Sequence, residues 1–195
     1  MQPDLRRARF LKSAASLADL PPDRGWEVAF AGRSNSGKSS ALNAIADIGG
    51  LARVSKTPGR TRLINLFALD EQRRLVDLPG YGYARVPEAE RRQWGALLEA
   101  YFTGRDCLKG LVLLMDIRHP LTDFDRQMLS FTEPLQRPVH VLLSKADKLG
   151  GNKGRQAFAS VKRALAGRAS VQLFSALSGE GVDAAQRLLA EWLEL

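Results

Sequence analysis

The chain has 195 residues, 45% hydrophobic and 26% charged, ordinary values for a globular protein and enough for one α/β domain with its own core. Its one cysteine, Cys107, excludes an intrachain disulfide, and the apolar and small residues around it fit a core thiol better than a nucleophile. Twenty-nine Lys and Arg against 21 Asp and Glu leave a net charge of +8, which argues for a polyanionic partner, nucleic acid or anionic lipid.

A basic arm over residues 1–24 ends at Pro21-Pro22-Asp23, which breaks any helix and delivers the chain to a short buried strand, Trp26–Ala31. Residues Gly32-Arg33-Ser34-Asn35-Ser36-Gly37-Lys38-Ser39 then fit the pattern G-x-x-x-x-G-K-S/T without a mismatch, and Ser40 opens a helix that runs to about Ala46. Gly49-Gly50 and Pro58-Gly59 make residues 48–62 a long loop. Leu63–Leu69 and Arg73–Leu78 are strands joined by Asp70-Glu71-Gln72, an antiparallel hairpin, before the glycine-rich break Pro79-Gly80-Tyr81-Gly82-Tyr83. Trp94, Leu97, Leu98, Tyr101 and Phe102 form one apolar helical stripe, whose aromatics fit core packing better than base stacking. The continuous apolar run Gly110–Asp116 predicts a parallel strand covered on both faces. A helix over Asp123–Thr132, a strand Pro138–Ser144, a helix Arg155–Ala166, a strand Ser170–Phe174 and a helix Val182–Leu193 complete the alternation. The pattern predicts a doubly wound α/β sheet, six strands, mostly parallel, with one antiparallel edge hairpin, in a single domain over residues 25–195. Ligands of such sheets sit at the carboxyl ends of the strands.

Polar motifs stand at those ends. Glycines let the phosphate loop wrap a polyphosphate with its N–H groups inward, Lys38 reaches the outer phosphates, and the Ser39 hydroxyl ligates Mg²⁺. Asp77-Leu78-Pro79-Gly80 places a carboxylate near the metal and the Gly80 N–H near the γ-phosphate. Ser144-Lys145-Ala146-Asp147 resembles the guanine-reading Asn/Ser/Thr-K-x-D element of P-loop GTPases, in which the carboxylate accepts from N1–H and the exocyclic amine, and so discriminates against adenine. Lys145 packs its stem over the ring, and Ser144 in place of the commoner Asn predicts a looser base pocket. Phe174-Ser175-Ala176 resembles the element whose backbone N–H meets the guanine O6. His119 and His140 have neither a nucleophile nor metal-ligand spacing beside them.

Gly32–Ser40, Lys56-Thr57-Pro58-Gly59-Arg60-Thr61, Ile64-Asn65 and Asp77–Ala84 together resemble the EngB (YihA, YsxC) family, bacterial GTPases of the TrmE–Era–EngA–EngB group, over essentially the whole chain. The resemblance implies a Ras-like domain that binds GTP and GDP, assists assembly of the large ribosomal subunit, and whose loss is associated with defects in division and septation. It implies that Lys38 bridges the β- and γ-phosphates, that Ser39 and Thr61 ligate Mg²⁺, and that Asp77 holds a metal-bound water; Lys38, Thr61 and Gly80 are the catalytic set. Nucleotide contacts extend over Gly32–Ser40 and then Gly59, Arg60, Thr61, Arg62 and Leu63. Asp77, Leu78, Pro79 and Gly80 follow, with Ser144, Lys145, Ala146 and Asp147 and then Phe174, Ser175 and Ala176 at the base.

Residues 48–62 become switch I and 80–92 switch II. Tyr81 occupies the position where related enzymes carry a water-orienting Gln, so intrinsic hydrolysis should be slow. Asn35 corresponds to an asparagine that in related GTPases helps bind an activating K⁺. Arg53, Lys56, Arg60 and Arg62, with Arg85, Arg91 and Arg92 and the adjoining Arg73-Arg74, make a basic switch surface suited to ribosomal RNA. A cytoplasmic monomer is expected: no stretch approaches a membrane span, the basic start lacks the apolar run of a secretory leader, and Glu191–Leu195 carries no lipidation cysteine. Two other readings compete: a nucleotide-gated RNA-binding module in which hydrolysis is negligible, and a P-loop kinase or ATPase, against which Asp147 argues.

Overall fold

A computed structural model describes residues 4–52, 63–80, 88–135 and 137–195. Its strands are β1 (Arg9–Ala14), β2 (Trp26–Gly32), β3 (Ile64–Ala68), β4 (Arg73–Asp77), β5 (Leu108–Asp116), β6 (Val139–Ser144) and β7 (Ser170–Leu173). The helices are α1 (Lys38–Ala46), α2 (Glu88–Gly104), α3 (Asp123–Thr132), α4 (Gly151–Leu165) and α5 (Val182–Leu193). All seven strands form one sheet in the order β1-β3-β4-β2-β5-β6-β7. From β4 to β7 every pairing is parallel, while β3 runs antiparallel to both β4 and β1.

This is the doubly wound sheet that the alternation predicts and the Ras-like fold that the resemblance implies, with one strand more than the six expected. The additional strand, β1, comes from the basic arm and pairs Phe10 with Phe67 and Ala14 with Ile64, so the β3–β4 hairpin lies inside the edge rather than on it. Four of its six residues are exposed and only Ala14 is buried, so it shows none of the alternation that marks a half-buried strand. It is held by the otherwise open backbone edge of β3.

Successive residues of β2 point to opposite faces. Val28 and Phe30 pack with Leu42 and Ile45 of α1 and Leu189 and Leu193 of α5. Ala29 and Ala31 pack with Leu98, Tyr101 and Phe102 of α2, Met128 of α3 and Val161 and Leu165 of α4. Both faces are therefore covered, and each fully buried Leu or Phe in these layers contributes about 1.5–3 kcal/mol. The α2 aromatics are core residues and not base platforms. Gly110 is a packing requirement, since a Cβ there would sit 2.3 Å from the Trp192 ring of α5. From β2 the chain turns to β3 and β4 on one side, then crosses to β5 on the other. That reversal opens a crevice beyond the carboxyl end of β2.

Candidate nucleotide site

The crevice is entered by the loop between β2 and α1. Asn35 (φ 65°) and Gly37 (φ 89°) take left-handed conformations that turn the backbone sharply into the helix. A Cβ at Gly32 would lie 2.5 Å from Ser36 Oγ and 3.0 Å from Leu114 Cβ, so this close approach also needs glycine. Helix α1 then starts at Lys38, presenting the positive end of its dipole to the loop. Lys38 Nζ pairs with Asp77 Oδ1, and the two side chains are only 11% and 6% exposed. Asp77 arrives there as the last residue of β4, opposite Phe30 of β2. Leu78 and Pro79 are buried behind it, and Gly80 faces the Ser34 backbone, where a Cβ would come within 3.7 Å.

A cleft of about 760 Å³ opens over these groups, lined by Arg33, Ser34, Asn35, Gly37, Lys38, Ser39, Ser40, Asp77, Gly80 and Lys145. That is the size of a nucleotide pocket. Ser39 and Asp77 share its wall. One hydroxyl and one carboxylate suit Mg²⁺, which keeps waters and takes its remaining ligands from substrate phosphates. Leu63 is exposed just before β3 and does not line the cleft. Gly59, Arg60, Thr61, Arg62 and Tyr81 lie outside the described residues.

The loops that would read the base are fastened to the phosphate loop. Ser144 Oγ donates to the Ser36 carbonyl at 2.5 Å, with the Met115 carbonyl 3.2 Å away. Serine is thus long enough to tie β6 to the phosphate loop, and the predicted loosening is not seen at this contact. Lys145, itself left-handed (φ 58°), donates from Nζ to the Asn35 carbonyl at 2.6 Å and pairs with Asp116 Oδ2 at 3.1 Å. The Ala146 N–H donates to the Phe174 carbonyl at 3.1 Å, joining the two base loops. Ser175 Oγ donates to Asp147 Oδ1 at 2.6 Å, and that hydrogen bond above all holds the Asp147 carboxyl below its ordinary range. Asp147 is therefore an ionised acceptor at neutral pH. Buried Ser175 is braced in turn by its own N–H on the Glu180 carbonyl, and the exposed Ala176 follows it.

Two residues of this end escaped the sequence motifs. Partial burial pushes the Asp116 carboxyl up, but hydrogen bonds from the Arg118 side chain, the Arg118 N–H and Lys145 outweigh it and hold the group well below the usual carboxylate range. A carboxylate at the carboxyl end of an apolar strand was the available signal, the same one that marks Asp77.

Elsewhere the structure corrects the basic surface. Arg74 is 4% exposed and bonded through Nε to Glu27 at 2.8 Å, because the hairpin strand that carries it is central and not peripheral. Arg73 turns to Asp70 and to the carbonyls of Leu193 and Glu194, with its guanidinium 5.2 Å from the Trp26 ring centroid. Arg74 is thus unavailable to a partner, and Arg73 is engaged within the chain. Arg92 is exposed and paired with Glu88. Arg53, Lys56 and Arg85 and the Arg91 side chain lie outside the described set. Cys107 is buried, and burial first, then its hydrogen bond with Asp23, pushes its thiol up to about 12. Burial pushes the His140 imidazole down, and its ring nitrogens meet Ser170 and Gln172. Among the described residues no group of three or more His, Cys, Asp and Glu could hold a metal ion, and no helix is long and apolar enough to cross a membrane.

A Ras-like sheet with a phosphate loop, an Asp-x-x-Gly and a Ser-Lys-x-Asp at neighbouring strand ends defines a P-loop GTPase, which binds guanine nucleotide. A family model described as 50S ribosome-binding GTPase matches residues 27–145. A probable GTP-binding protein EngB of Aromatoleum aromaticum is 57% identical, over 99% of this chain and 91% of its own. Another, of Methylococcus capsulatus, is 53% identical over 96% of this chain and 91% of its own. The chain belongs to the EngB family of GTP-binding proteins. Among solved structures, a probable GTP-binding protein engB superposes with a TM-score of 0.69 at 20% identity, covering 86% of this chain and 98% of that one. Era of Aquifex aeolicus, bound to GDP and aluminium fluoride, gives 0.66 at 18%, covering 87% of this chain and 57% of the other. At such identities the likeness concerns the fold alone.

Proposed function

We propose that this chain is a slow, Mg²⁺-dependent GTPase that acts as a switch in assembly of the bacterial large ribosomal subunit. It works as a cytoplasmic monomer, and normal division and septation depend on it. The observation that carries the reading is the base loop strapped onto the phosphate loop, with Asp147 held ionised by Ser175 and Lys145 anchored on the Asn35 carbonyl. The family model's description, 50S ribosome-binding GTPase, supports the ribosomal context.

Backbone N–H groups over residues 33–39 receive the phosphates at the positive end of α1, and Lys38 exchanges Asp77 for the β- and γ-phosphate oxygens. Ser39, Thr61 and Asp77 would hold Mg²⁺, which would supply positive charge to the phosphates. The Gly80 N–H donates to the γ-phosphate and relays its presence into switch II. Thr61, as a ligand of the metal with GTP bound, would couple the nucleotide to switch I. The side-chain oxygen of Asn35, on the cleft wall, would help hold K⁺, whose charge serves where an arginine finger otherwise stands. Tyr81 offers no amide to orient the attacking water, so turnover waits on the partner. Arg53, Lys56, Arg60, Arg62, Arg85, Arg91 and Arg92 would meet ribosomal RNA, without the buried Arg74 and the internally bonded Arg73.

The experiment is single-turnover GTP hydrolysis by the whole chain, with and without immature large ribosomal particles, in KCl and in NaCl at matched ionic strength. Stimulation by the particles of at least about tenfold, greater in KCl, is expected. Particle binding that depends on GTP without any stimulation would favour the gated-module reading instead. Equal rates in the two salts would remove the role of Asn35 in holding K⁺.

A further inference from the structure

Lysine carries its ammonium on a flexible stem and orients poorly unless its head is fixed. Lys145 is fixed twice, by the Asn35 carbonyl at 2.6 Å on the phosphate loop and by Asp116 Oδ2 at 3.1 Å at the end of β5. Asp116 is itself gripped from its other side. The Arg118 guanidinium donates from Nε to Oδ1 at 2.9 Å and from Nη2 to Oδ2 at 2.6 Å, and the Arg118 N–H adds a bond to Oδ1 at 3.0 Å. This bidentate fork leaves the carboxylate little freedom to rotate away from Lys145. Local backbone supplies the geometry. The Ile117 N–H is bonded to the Ser144 carbonyl, and the His119 N–H to the Asp116 carbonyl, so the chain folds back as it leaves β5 and brings Arg118 over Asp116. A series of charged contacts thus runs from Arg118 through Asp116 and Lys145 to the phosphate loop.

We propose that Asp116 and Arg118 are positioning residues for guanine nucleotide, locking the Lys145 stem in place along the purine and tying the base end of the site to the phosphate end. The inference rests on the placement of Lys145 over the guanine ring. Neither residue touches the phosphate that is transferred, so their removal acts on binding and not on chemistry. GDP and GTP are affected alike, because both carry the same base.

The test is a set of Kd measurements for fluorescent GDP and for a GTP analogue, on the whole chain carrying Asp116→Asn, Asp116→Glu, Arg118→Ala or Lys145→Ala. Single-turnover hydrolysis at saturating GTP and thermal melting accompany them. Asp116→Asn is expected to weaken both nucleotides about tenfold, in the range set by loss of a charged hydrogen bond. Arg118→Ala, an exposed site that leaves folding intact, weakens them about threefold. Asp116→Glu regains part of the loss, and the saturated rate of the Asp116 and Arg118 variants stays within about twofold of wild type. Weakened binding with Lys145→Ala but unchanged binding with both Asp116→Asn and Arg118→Ala would overturn the positioning role alone. Unchanged binding with Lys145→Ala would overturn the base-loop reading beneath it. A saturated rate that falls together with affinity and melting temperature would mean a merely structural role and would also overturn the proposal.

Discussion

At the amino end of β2, Glu27 is fully buried and both its oxygens have partners within the chain, whereas at the carboxyl end Lys38 and Asp77 meet each other on the wall of an open cleft. Glu27 Oε1 accepts from Arg74 Nε at 2.8 Å and Arg105 Nη2 at 2.5 Å, and Oε2 accepts from the Tyr101 hydroxyl at 3.1 Å. Arg105 reaches on to the Pro21 carbonyl at 2.8 Å, so one carboxylate joins β2, β4, α2 and the arm that precedes β2. Burial first, then the Glu27 charge, push the Tyr101 hydroxyl far up, which keeps it a neutral donor. Burial of charge is deeper at this end than at the nucleotide site, yet nothing here is left to bind. A charge whose partners all come from the chain is committed to the fold; one whose partner can be exchanged for a phosphate is available to chemistry.

The largest effect that tests this contrast is Glu27→Ala. Two buried guanidiniums lose their counter-charge, which costs about 3–5 kcal/mol of stability in a urea titration. The fraction that remains folded should bind GDP within about twofold of wild type, since the nucleotide groups stand at the other end of the sheet. A stability change below about 1 kcal/mol, or a loss of affinity without loss of stability, would break the division between the two ends.

Next in size is Asp147→Asn. An amide cannot accept from both N1–H and the exocyclic amine as a carboxylate does, so GDP affinity should fall about 100-fold while stability changes little. Xanthosine diphosphate, which carries an oxygen where guanine carries the amine, should bind the variant better than GDP. Equal loss of GDP and xanthosine diphosphate would mean that Asp147 props up the Ser175 loop rather than reading a base.

What the chain announces in advance and what it conceals follow the same contrast. The phosphate loop, Asp77-x-x-Gly80 and Ser144–Asp147 are contiguous runs whose chemistry is local, so they were legible. The apolar stripe of α2 and the apolar run that opens at Gly110 in β5 are likewise features of short windows. Strand β1 was not legible, because Arg9–Ala14 becomes a strand only where β3 offers an open edge distant in sequence, as in the Ser13–Asn65 pair at a separation of 52. Arg74 looked like a surface arginine for the same reason: its partner Glu27 is 47 residues distant, and no local pattern links them. Ser144 shows a third kind of gap. Its departure from asparagine predicted looseness, but whether a hydroxyl reaches Ser36 depends on the distance between β6 and the phosphate loop, which only folding sets.

The smallest effect belongs to Asp23, a mostly exposed carboxylate at the committed end. It accepts from the backbone N–H groups of Asp106 and Cys107, each at 2.9 Å. Burial pushes the carboxyl up, but the Cys107 thiol and these two N–H groups outweigh it and bring it from 3.8 to about 2. A folded value below the unfolded one means that the stabilisation is present above 3.8 and is lost as pH falls from there towards about 2. With solvent screening at an exposed site the contribution is about 1 kcal/mol at neutral pH. Urea titrations of wild type and Asp23→Ala should therefore differ by a constant amount from neutral pH down to about 5, then converge as the solution is acidified further. GDP affinity should be the same in both proteins at neutral pH, because Asp23 fastens the arm to the start of β5, away from the cleft. A gap that widens in acid would mean that the carboxyl is held up rather than down, and the hydrogen bonds to residues 106 and 107 would then not be what holds this corner together.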